Sequence, residues 1–391
     1  MAKKRVGILT GGGDVPGLNI AIKSVVLNSI DSDYEIVGIR RGWFGLLNYN
    51  IDDEETHELY IRDLNPMVVR RVDRTGGTFL HTSRANPSRV RAKDTPEFLV
   101  NSKWGKVVDE LEEITDYTDH ILNVIDHLKL DSLITIGGDD TLSYSNRLVK
   151  EGVKLNAIPK TMDNDVLGTE YCIGFSTAVT QAVNLITNFR TSVGSHERIG
   201  VVELFGRNSG ETALITGYLS YVDRTIICEV PFNTQEVAEL LASDKRNSKS
   251  HYSLCVISEG AHTDSGEIVE WGAPDAYGHR KLGGIGEVLS DQIKILTGNN
   301  TMYQKLGYLV RSGPADMLDR MVAMNYGALA MQLTMKNDFG HLVGILDGNY
   351  SIVPIETVIS GKRQVDVDLY YDKENYRPKV KNILGLPMFL H

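Results

Sequence analysis

Short runs of apolar residues, each about as long as one strand, recur along the chain and alternate with segments of helical periodicity. A continuous apolar run of this length is typical of a strand buried on both faces of a parallel sheet, because helices cover both faces there. Between the runs, apolar residues in 121–128 and 178–189 recur at the spacing of one helix face. The alternation therefore predicts an α/β fold with doubly wound parallel sheets. The runs that we predict as strands are 5–10, 35–40, 133–136, 156–160, 199–204, 226–230, 254–258 and 342–346.

The length of the chain predicts two domains packed against each other. It has 391 residues, and single hydrophobic cores seldom grow beyond roughly 250–300 residues. The sequence has no stretch rich in proline, glycine and serine and no internal repeat that would mark a linker. We therefore expect the two domains to be connected through ordinary loops, with a cleft between them.

The charge balance and the cysteines exclude several classes of protein. There are 41 Lys and Arg residues against 51 Asp and Glu residues, a formal net charge of −10, whereas general binding to nucleic-acid or membrane phosphates needs an excess of basic residues. Cys172, Cys228 and Cys255 are widely spaced, so we predict buried thiols and neither a disulfide framework nor a zinc site. No stretch approaches the roughly 18 apolar residues of a membrane span. We expect a cytoplasmic protein without nucleic-acid or membrane partners.

Glycine-rich or acidic segments directly follow four of the predicted strands. In open α/β sheets, ligands bind beyond the carboxyl ends of the strands, where such loops meet. This repeated placement predicts one composite binding site. The segments are GGGDVPG at 11–17, GGDDT at 137–141, KTMDND at 160–165 and FGR at 205–207.

The first two segments suit a phosphate and a metal ion. Segment 11–17 brings backbone N–H groups to the start of a helix, which favours an anion, although a plain strand-to-helix turn would use the same glycines. Its Pro16 breaks the dinucleotide fingerprint, and the sequence has no Walker A loop. Asp139 and Asp140 precede a predicted helix, where Mg²⁺ bridging a polyphosphate would accommodate both carboxylates. A helix N-cap at Asp140 or Thr141 is the alternative.

The third segment carries two carboxylates that suit acid–base chemistry. Asp163 and Asp165 are two positions apart, so in an extended chain they point to the same side and share one pocket. A neighbouring carboxylate raises the pKa of an aspartate, and a well-placed carboxylate can take a proton from a hydroxyl group during its reaction. Turn chemistry explains the asparagine and the aspartates singly but not the whole run.

Seven motifs occur along the chain in a fixed order: GGGDVPGLN, TGGT (75–78), GGDDT, PKTMDND, GSHERIGVVELFGR (194–207), CEVPF (228–232) and LGYLVRSG (306–313). In this order they resemble the phosphofructokinase family, and most of all its pyrophosphate-dependent members, over roughly residues 5–346. The resemblance implies two Rossmann-like parallel-sheet domains with the active site in the cleft between them. A donor domain would comprise 1–173 plus about 310–360, and a sugar-phosphate domain 174–309 plus about 361–391.

The resemblance also implies an activity: Mg²⁺-dependent, reversible transfer of a phosphoryl group from pyrophosphate to the 1-hydroxyl of D-fructose 6-phosphate, in glycolysis or gluconeogenesis. Gly12 would contact the donor, Asp139 would hold Mg²⁺, and Asp163 would be the base for the sugar hydroxyl. Lys160 and Arg207 would neutralise developing charge. An arginine matching Arg198 reaches in from a neighbouring subunit in the family, which implies a homodimer or homotetramer. The residues implied to bind the sugar are Thr161, Asp163, Asp165, Phe205, Gly206, Arg207 and Glu229, and those implied to bind its 6-phosphate are Arg198, Tyr308 and Arg311.

Two positions, Asp140 and Lys160, bear on the choice of donor. ATP-using relatives commonly have glycine at the first position and often at the second, so the chain resembles the pyrophosphate users at both. A carboxylate at the first position would take the place of an ATP α-phosphate and repel it by roughly 1 kcal/mol at 4 Å in water, or nearer about 4 kcal/mol at an effective dielectric of 20. An ATP-dependent phosphofructokinase, an NAD kinase-like protein and a non-catalytic regulatory subunit that binds sugar phosphate stay open as alternatives.

Three positions depart from the family's pattern. The arginine that usually precedes GGT is replaced by Thr75, with Arg74 one place earlier. Met302 stands where many bacterial relatives have a phosphate-binding arginine, so the 6-phosphate site lacks one cation unless Lys305 supplies it, and acceptors such as sedoheptulose 7-phosphate stay open. Leu27 replaces an effector-site arginine, so we predict no control by ADP or phosphoenolpyruvate at that place.

Overall fold

The computed structural model describes residues 3–30, 32–266, 270–271 and 281–379, in which strands and helices alternate. The strands are β1 Lys4–Thr10, β2 Tyr34–Ile39, β3 Ile61–Leu64, β4 Val90–Arg91, β5 Lys106–Asp109, β6 Ile114–Asp116, β7 Ser132–Gly137, β8 Leu155–Pro159, β9 Ile199–Leu204, β10 Arg224–Ile226, β11 Ser253–Ser258, β12 Glu270–Trp271, β13 Lys281–Leu282, β14 Thr301–Lys305, β15 His341–Leu346, β16 Asn349–Pro354, β17 Tyr371–Asp372 and β18 Arg377–Pro378. The α-helices are α1 Leu18–Asn28, α2 Trp43–Leu47, α3 Glu54–Tyr60, α4 Thr118–His127, α5 Asp139–Lys150, α6 Phe175–Ser195, α7 Glu211–Leu219, α8 Thr234–Asn247, α9 Ile285–Thr297, α10 Met317–Met335 and α11 Val367–Tyr370. Short 3₁₀-helices lie at Val72–Arg74, Ala92–Asp94, Glu97–Leu99, Gly307–Arg311 and Ile355–Ile359.

Two largely parallel sheets organise the fold. The larger sheet has seven strands in the order β16-β15-β8-β7-β1-β2-β3, and the smaller has four in the order β10-β11-β9-β14. Among the described strands of these two sheets, only the edge strands β3 and β16 run antiparallel to their neighbours. The predicted α/β class with parallel sheets is therefore confirmed. β15 follows the strands of the smaller sheet along the chain but pairs with β8 of the larger sheet. The domain boundaries given above stay a prediction.

Two strands of the smaller sheet differ from the sequence prediction, which also did not include the antiparallel edge strands β3 and β16 or the short strands of the three small sheets in the described part of the chain. The predicted strand at 226–230 is wrong, since β10 ends at Ile226, whose paired residue is Ile257. Ile227 beyond it is fully buried, so the apolar run reflects core packing rather than sheet pairing. The sequence does not predict β14, because its residues TMYQK are polar and only partly buried, whereas the pattern of apolar runs recognises strands with two buried faces.

The two faces of the larger sheet belong to separate hydrophobic cores, because successive side chains of a strand point to opposite faces. On one face, Val6 and Ile8 of β1 pack with residues of α1, α6 and α10, and Val202 and Val256 of the smaller sheet join the same core. On the other face, Leu9 packs with residues of α2, α4 and α5. The layer formed by α1, α6 and α10 therefore lies between the two sheets.

Two other features of the structure bear on the sequence predictions. The three cysteines are free and buried, as predicted. In the part of the chain that is described, no helix combines the length and the apolar character that crossing a membrane requires.

Candidate active site

Loops at the carboxyl ends of β1, β7 and β8 meet at one edge of the larger sheet. The N–H of Gly11 donates to the carbonyl of Ile136, and the N–H of Lys160 donates to the carbonyl of Gly137, both at 2.9 Å. The Lys160 side chain reaches back to the first loop, where its ammonium donates to the carbonyl of Gly13 at 2.6 Å. Three of the four segments that the sequence assigned to one site therefore contact one another.

Gly12 lies in the first loop beside the Lys160 ammonium. Its φ is +79°, in the left-handed region that favours glycine, and a Cβ there would lie 3.2 Å from Nζ of Lys160. The N–H of Gly12 donates to the carbonyl of Ser83 at 2.8 Å, and its carbonyl accepts from the hydroxyl of Thr82 at 2.7 Å. The loop is thus held by the protein itself, and its predicted contact with a donor stays a prediction.

Lys160 is a buried ammonium, with only 3% of the residue exposed. Burial lowers its pKa to about 8, and the positive charges of Arg311 and Arg84 act in the same direction, whereas the carboxylates of Asp14 and Asp140 oppose them. Several cations thus surround one small space at the end of β8. Such a concentration of positive charge suits an anion with several phosphate oxygens.

Asp139 begins α5, and its carboxylate is the candidate ligand for a metal ion. Its Oδ2 contacts the ammonium of Lys362, and its buried Oδ1 has no hydrogen-bond partner among the described residues. In that part of the chain, no group of three or more His, Cys, Asp or Glu side chains is arranged to hold a metal ion. Mg²⁺ commonly uses one or two carboxylates with substrate phosphates and waters as its other ligands. One orphaned carboxylate oxygen next to a phosphate-binding space therefore fits Mg²⁺.

Asp163 is a buried carboxyl group with one free oxygen. Its Oδ2 accepts from the N–H of Arg207 at 3.4 Å, and its Oδ1 has no partner within the described part of the chain. Burial raises its pKa well above the ordinary value for an aspartate, and the carboxylates of Asp165 and Glu259 raise it further. The loop after β8 thereby meets the loop after β9, so all four predicted segments lie in one site.

Asp165 shares this pocket with Asp163, as the spacing predicts. Its carboxylate accepts from the side-chain amide of Asn208 at 3.3 Å. Burial raises its pKa, while hydrogen bonds from Asn208 and from the hydroxyl of Thr161 act against burial. Thr161 also accepts from the N–H of Asp163 at 3.1 Å. Thr161 thus orders the stretch between the two carboxylates.

Arg311 lies between the two sides of the site. Its guanidinium carbon is 4.4 Å from the ring centre of Tyr308 and 5.7 Å from that of Phe205, distances at which a cation is attracted to an aromatic face. The same guanidinium is 3.5 Å from the Asp14 carboxylate, and a Cβ on Gly13 would lie 2.7 Å from it. The structure therefore brings Arg311, which the resemblance implies for the 6-phosphate, close to the loop at 11–17 as well.

Gly206 is another position in the site where a side chain does not fit. Its φ is +136°, and a Cβ there would lie 2.4 Å from Oγ of Ser258 and 2.8 Å from the carbonyl oxygen of Ser209. The hydroxyl of Ser258 donates to the Gly206 carbonyl at 2.6 Å. This contact ties the loop after β9 to the end of β11.

Glu229 and Arg198 are two further residues that the resemblance implies for binding. Oε1 of Glu229 accepts from the N–H groups of Gly210 and Val365 at 2.8 and 3.0 Å, so this carboxylate ties two backbone segments together. Arg198 precedes β9, whereas Arg207 follows it. Six residues of strand separate the two ends, a distance of about 20 Å at roughly 3.3 Å per residue. The binding roles that the resemblance implies for Glu229 and Arg198 stay predictions.

The structure adds residues that the sequence reasoning missed. Glu259 directly follows β11, is 8% exposed, and has its pKa raised to about 7 by burial, against the opposing charges of Lys305 and Arg207. The rule that ligands bind at strand ends would have found it. Lys305, which the sequence had already offered as a cation for the 6-phosphate, has its ammonium 2.8 Å from the fully buried Glu203 carboxylate. Arg84 contributes positive charge at Lys160.

A short segment near the end of the described chain, residues 361–365, also contacts the site. We call it the strap. Lys362 contacts Asp139, and Arg363 forms a buried ion pair with Glu211 at the start of α7. No sequence pattern marks these contacts, because the strap lies far along the chain from its partners; Arg363, for example, is 152 residues from Glu211. The remaining strap contacts are Gln364 Nε2 to the Asn208 carbonyl at 3.2 Å and the Val365 N–H to Glu229.

Comparisons with known proteins agree with this fold. Residues 5–334 match the family described as Phosphofructokinase. A protein of Thermoproteus tenax named pyrophosphate--fructose 6-phosphate 1-phosphotransferase is 35% identical over 364 residues, which are 92% of this chain and 95% of that protein. A protein of Chloroflexus aurantiacus named ATP-dependent 6-phosphofructokinase is 33% identical over 354 residues, which are 90% of each. The solved structure of phosphofructokinase from Saccharomyces cerevisiae superposes with a TM-score of 0.70 at 22% identity, covering 91% of this chain and 45% of that one.

The fold and the site define an α/β protein whose glycine-rich loops and buried carboxylates meet beyond the ends of parallel strands. The chain belongs to the phosphofructokinase family. The resemblance stated from the motifs, and the phosphofructokinase fold that it implied, are therefore confirmed.

Proposed function

We propose that this protein transfers a phosphoryl group from pyrophosphate to the 1-hydroxyl of D-fructose 6-phosphate, giving fructose 1,6-bisphosphate and orthophosphate. The observation that carries the proposal is the buried Oδ1 of Asp163, which lacks a partner among the described residues, in the same site as the buried ammonium of Lys160. The name of the Thermoproteus tenax relative supports the same donor and acceptor.

In this proposal Asp163 accepts the proton of the 1-hydroxyl as its oxygen forms a bond to phosphorus. The anhydride bond of pyrophosphate breaks, and its electron pair leaves with orthophosphate. A raised pKa suits Asp163 for this task, since a base works best when its pKa is near the operating pH. Lys160 and Arg207 stabilise the charge that spreads over the transferred group. Asp139 would hold Mg²⁺, which when bound neutralises charge on the donor phosphates.

The acceptor side of the proposal rests on the residues around Arg311. Arg311 and Tyr308 would bind the 6-phosphate, because a guanidinium forms paired hydrogen bonds with phosphate oxygens. Arg198 lies at the far end of β9 from its own pocket, so we propose that it serves the pocket of a neighbouring copy in a homodimer or homotetramer. Glu259 joins the sugar site through its position beside Arg207. The other proposed sugar-binding residues are Thr161, Asp165, Phe205, Gly206, Arg207 and Glu229.

Asp140 and Lys160 favour pyrophosphate over ATP as the donor. Both act electrostatically on the same space, because the Asp140 carboxylate and the Lys160 ammonium influence each other. A carboxylate there repels an additional phosphate, whereas a buried ammonium compensates a short donor. Since pyrophosphate and the product ester are closer in energy than ATP and that ester, we propose a readily reversible reaction that serves glycolysis and gluconeogenesis. The free thiols support work in a reducing cytoplasm.

The name of the Chloroflexus aurantiacus relative favours a second candidate, an ATP-dependent 6-phosphofructokinase. The experiment that separates the two is a matrix of pyrophosphate and ATP against fructose 6-phosphate and sedoheptulose 7-phosphate, with Mg²⁺. We expect the highest kcat/KM with pyrophosphate and fructose 6-phosphate, and turnover in reverse from fructose 1,6-bisphosphate and orthophosphate. Higher kcat/KM with ATP would overturn the choice of donor. No turnover with either donor, together with calorimetric binding of fructose 6-phosphate, would identify the regulatory subunit instead.

Asp163→Ser is the matched control for that matrix. It removes the proposed base and leaves the phosphate-binding cations in place. Full activity in this variant would contradict the catalytic assignment of Asp163 while leaving the choice of substrates standing.

A further inference from the structure

The strap holds the Lys362 side chain against Asp139 from both flanks. On its amino-terminal side, Gly361 has a φ of +159°; at Lys362 itself the backbone forms an isolated antiparallel bridge to Val166. On its carboxyl-terminal side, the N–H of Arg363 donates to the carbonyl of Asp165 at 3.0 Å. These backbone contacts place Lys362 beside the loop after β8 and limit where its side chain can reach.

The contact between Lys362 and Asp139 is partly withdrawn from water. The two side chains are 36% and 15% exposed, so water screens this pair less than it screens an ion pair on the open surface. Oδ2 of Asp139 takes the ammonium, while Oδ1 has no partner among the described residues. One carboxylate therefore carries both a resident cation and a free oxygen.

A divalent cation at Asp139 needs the same negative charge that Lys362 already compensates. Two cations within a few ångströms of each other repel, and the repulsion is stronger where water is partly excluded. A donor phosphate relieves this repulsion, because it adds negative charge beside both cations. Metal binding alone is then weak, and metal binding together with phosphate is strong.

We propose that Lys362 is a positioning residue of the donor site, which holds the Asp139 carboxylate and competes with the divalent cation for it until phosphate is present. The inference rests on the metal site of the proposed function. It assigns the strap a role in coupling the binding of metal to the binding of donor, since two ligands that relieve each other's repulsion bind cooperatively.

The test measures the affinity of the protein for Mn²⁺ in the absence of pyrophosphate. The concentration of free Mn²⁺ is determined from its electron paramagnetic resonance signal. We expect Lys362→Met and Lys362→Gln each to bind Mn²⁺ about tenfold more tightly than the wild type, a factor that corresponds to about 1.4 kcal/mol. Lys362→Arg keeps the charge and is expected to bind Mn²⁺ as the wild type does. Lys373→Met, which removes an exposed ammonium paired with Asp368, is the matched control and is expected to have no effect.

If Lys362 has a purely structural role, its replacement is expected to weaken Mn²⁺ binding, because a loosened Asp139 would bind metal more weakly. Unchanged or weaker Mn²⁺ binding in both neutral variants would overturn the proposal. Asp139→Asn is expected to abolish this Mn²⁺ binding, both when introduced alone and when combined with Lys362→Met. Mn²⁺ binding that persists in either of these variants would overturn the proposal too. Because no turnover is involved, these outcomes are distinct from a failure of the proposed phosphoryl transfer, which the donor matrix detects.

Discussion

Replacing Arg363 with methionine removes one half of a buried ion pair beside the proposed base. The Arg363 and Glu211 side chains are 9% and 3% exposed, and Arg363 Nη1 also donates to the carbonyl of Asn164 at 2.9 Å. After the change, the described partners of the Glu211 carboxylate reduce to the side-chain amide of Asn164 at 3.2 Å. Breaking a buried pair by removing one partner costs about 3–5 kcal/mol, because it leaves an uncompensated charge out of water. We expect Arg363→Met to lose about that much free energy of unfolding.

The assay is urea unfolding followed by circular dichroism, at one protein concentration for all variants, because an oligomer's stability depends on concentration. Arg363→Met with Glu211→Gln removes both charges and is expected to recover at least about 2 kcal/mol of the loss, since a neutral pair needs no counter-charge. The contrast is Arg147→Met, whose partner Glu151 is 35% exposed, and whose expected loss is below about 1 kcal/mol. A loss below about 1 kcal/mol in Arg363→Met, or a double variant no more stable than it, would refute the reasoning.

The same variant has a pH signature. Burial raises the pKa of Glu211 to about 7, and Arg363 acts against this rise, so in Arg363→Met the pKa of Glu211 rises further. A carboxyl group whose pKa is higher in the folded than in the unfolded state binds more protons when folded, and stability is lost as the pH rises through the folded pKa. The deficit of Arg363→Met relative to the wild type is therefore expected to be larger at pH 8 than at pH 6. If Arg363→Met loses the same free energy of unfolding at pH 6 and at pH 8, the loss does not arise from the ionisation of Glu211.

Three predictions concern activity with pyrophosphate and fructose 6-phosphate. Asp163→Asn keeps the shape of the side chain and removes the base, so we expect kcat to fall about 10²–10⁴-fold. The wild-type kcat is expected to rise with pH as Asp163 ionises, and burial raises the pKa at which this happens. An Asp163→Asn variant that keeps this pH profile would contradict the assignment. Asp140→Gly with Lys160→Gly is expected to gain turnover with ATP and lose it with pyrophosphate in the coupled donor assay, and a double variant with unchanged donor preference would refute the blocking argument. Glu259→Gln is expected to raise the KM for fructose 6-phosphate about tenfold with a smaller change in kcat, and an unaltered KM would exclude Glu259 from the acceptor site.

The apolar periodicity of the sequence predicted the parallel strands that are buried on both faces and the loops that follow them, whereas the parallel strand β14, whose residues are half-buried or exposed, carries no such signal. It works because a strand between two helical layers has to be apolar on both faces, so its burial is encoded locally. The spacing of Asp163 and Asp165 predicts a shared pocket for an extended chain. The two carboxylates do share a pocket, but Asn164 between them has a φ of +55°, so the fold of the loop and not strand alternation brings them together. The run at 226–230 marks the limit of this reasoning, because Ile227 is buried without belonging to a strand.

Other parts of the site depend on the path of the whole chain. Lys362 meets Asp139 and Arg363 meets Glu211 because the chain returns to the larger sheet through β15 and β16 and then passes the carboxyl ends of its strands. The position of Arg198 at the opposite end of β9 from Arg207 likewise follows from the direction in which that strand runs. The sequence by itself determined which strands are buried and which loops after them carry glycines and carboxylates, because strand burial and loop composition are local properties. Only the tertiary structure decided which charges face one another, because ion pairs between distant segments follow from topology and leave no periodic trace in the chain.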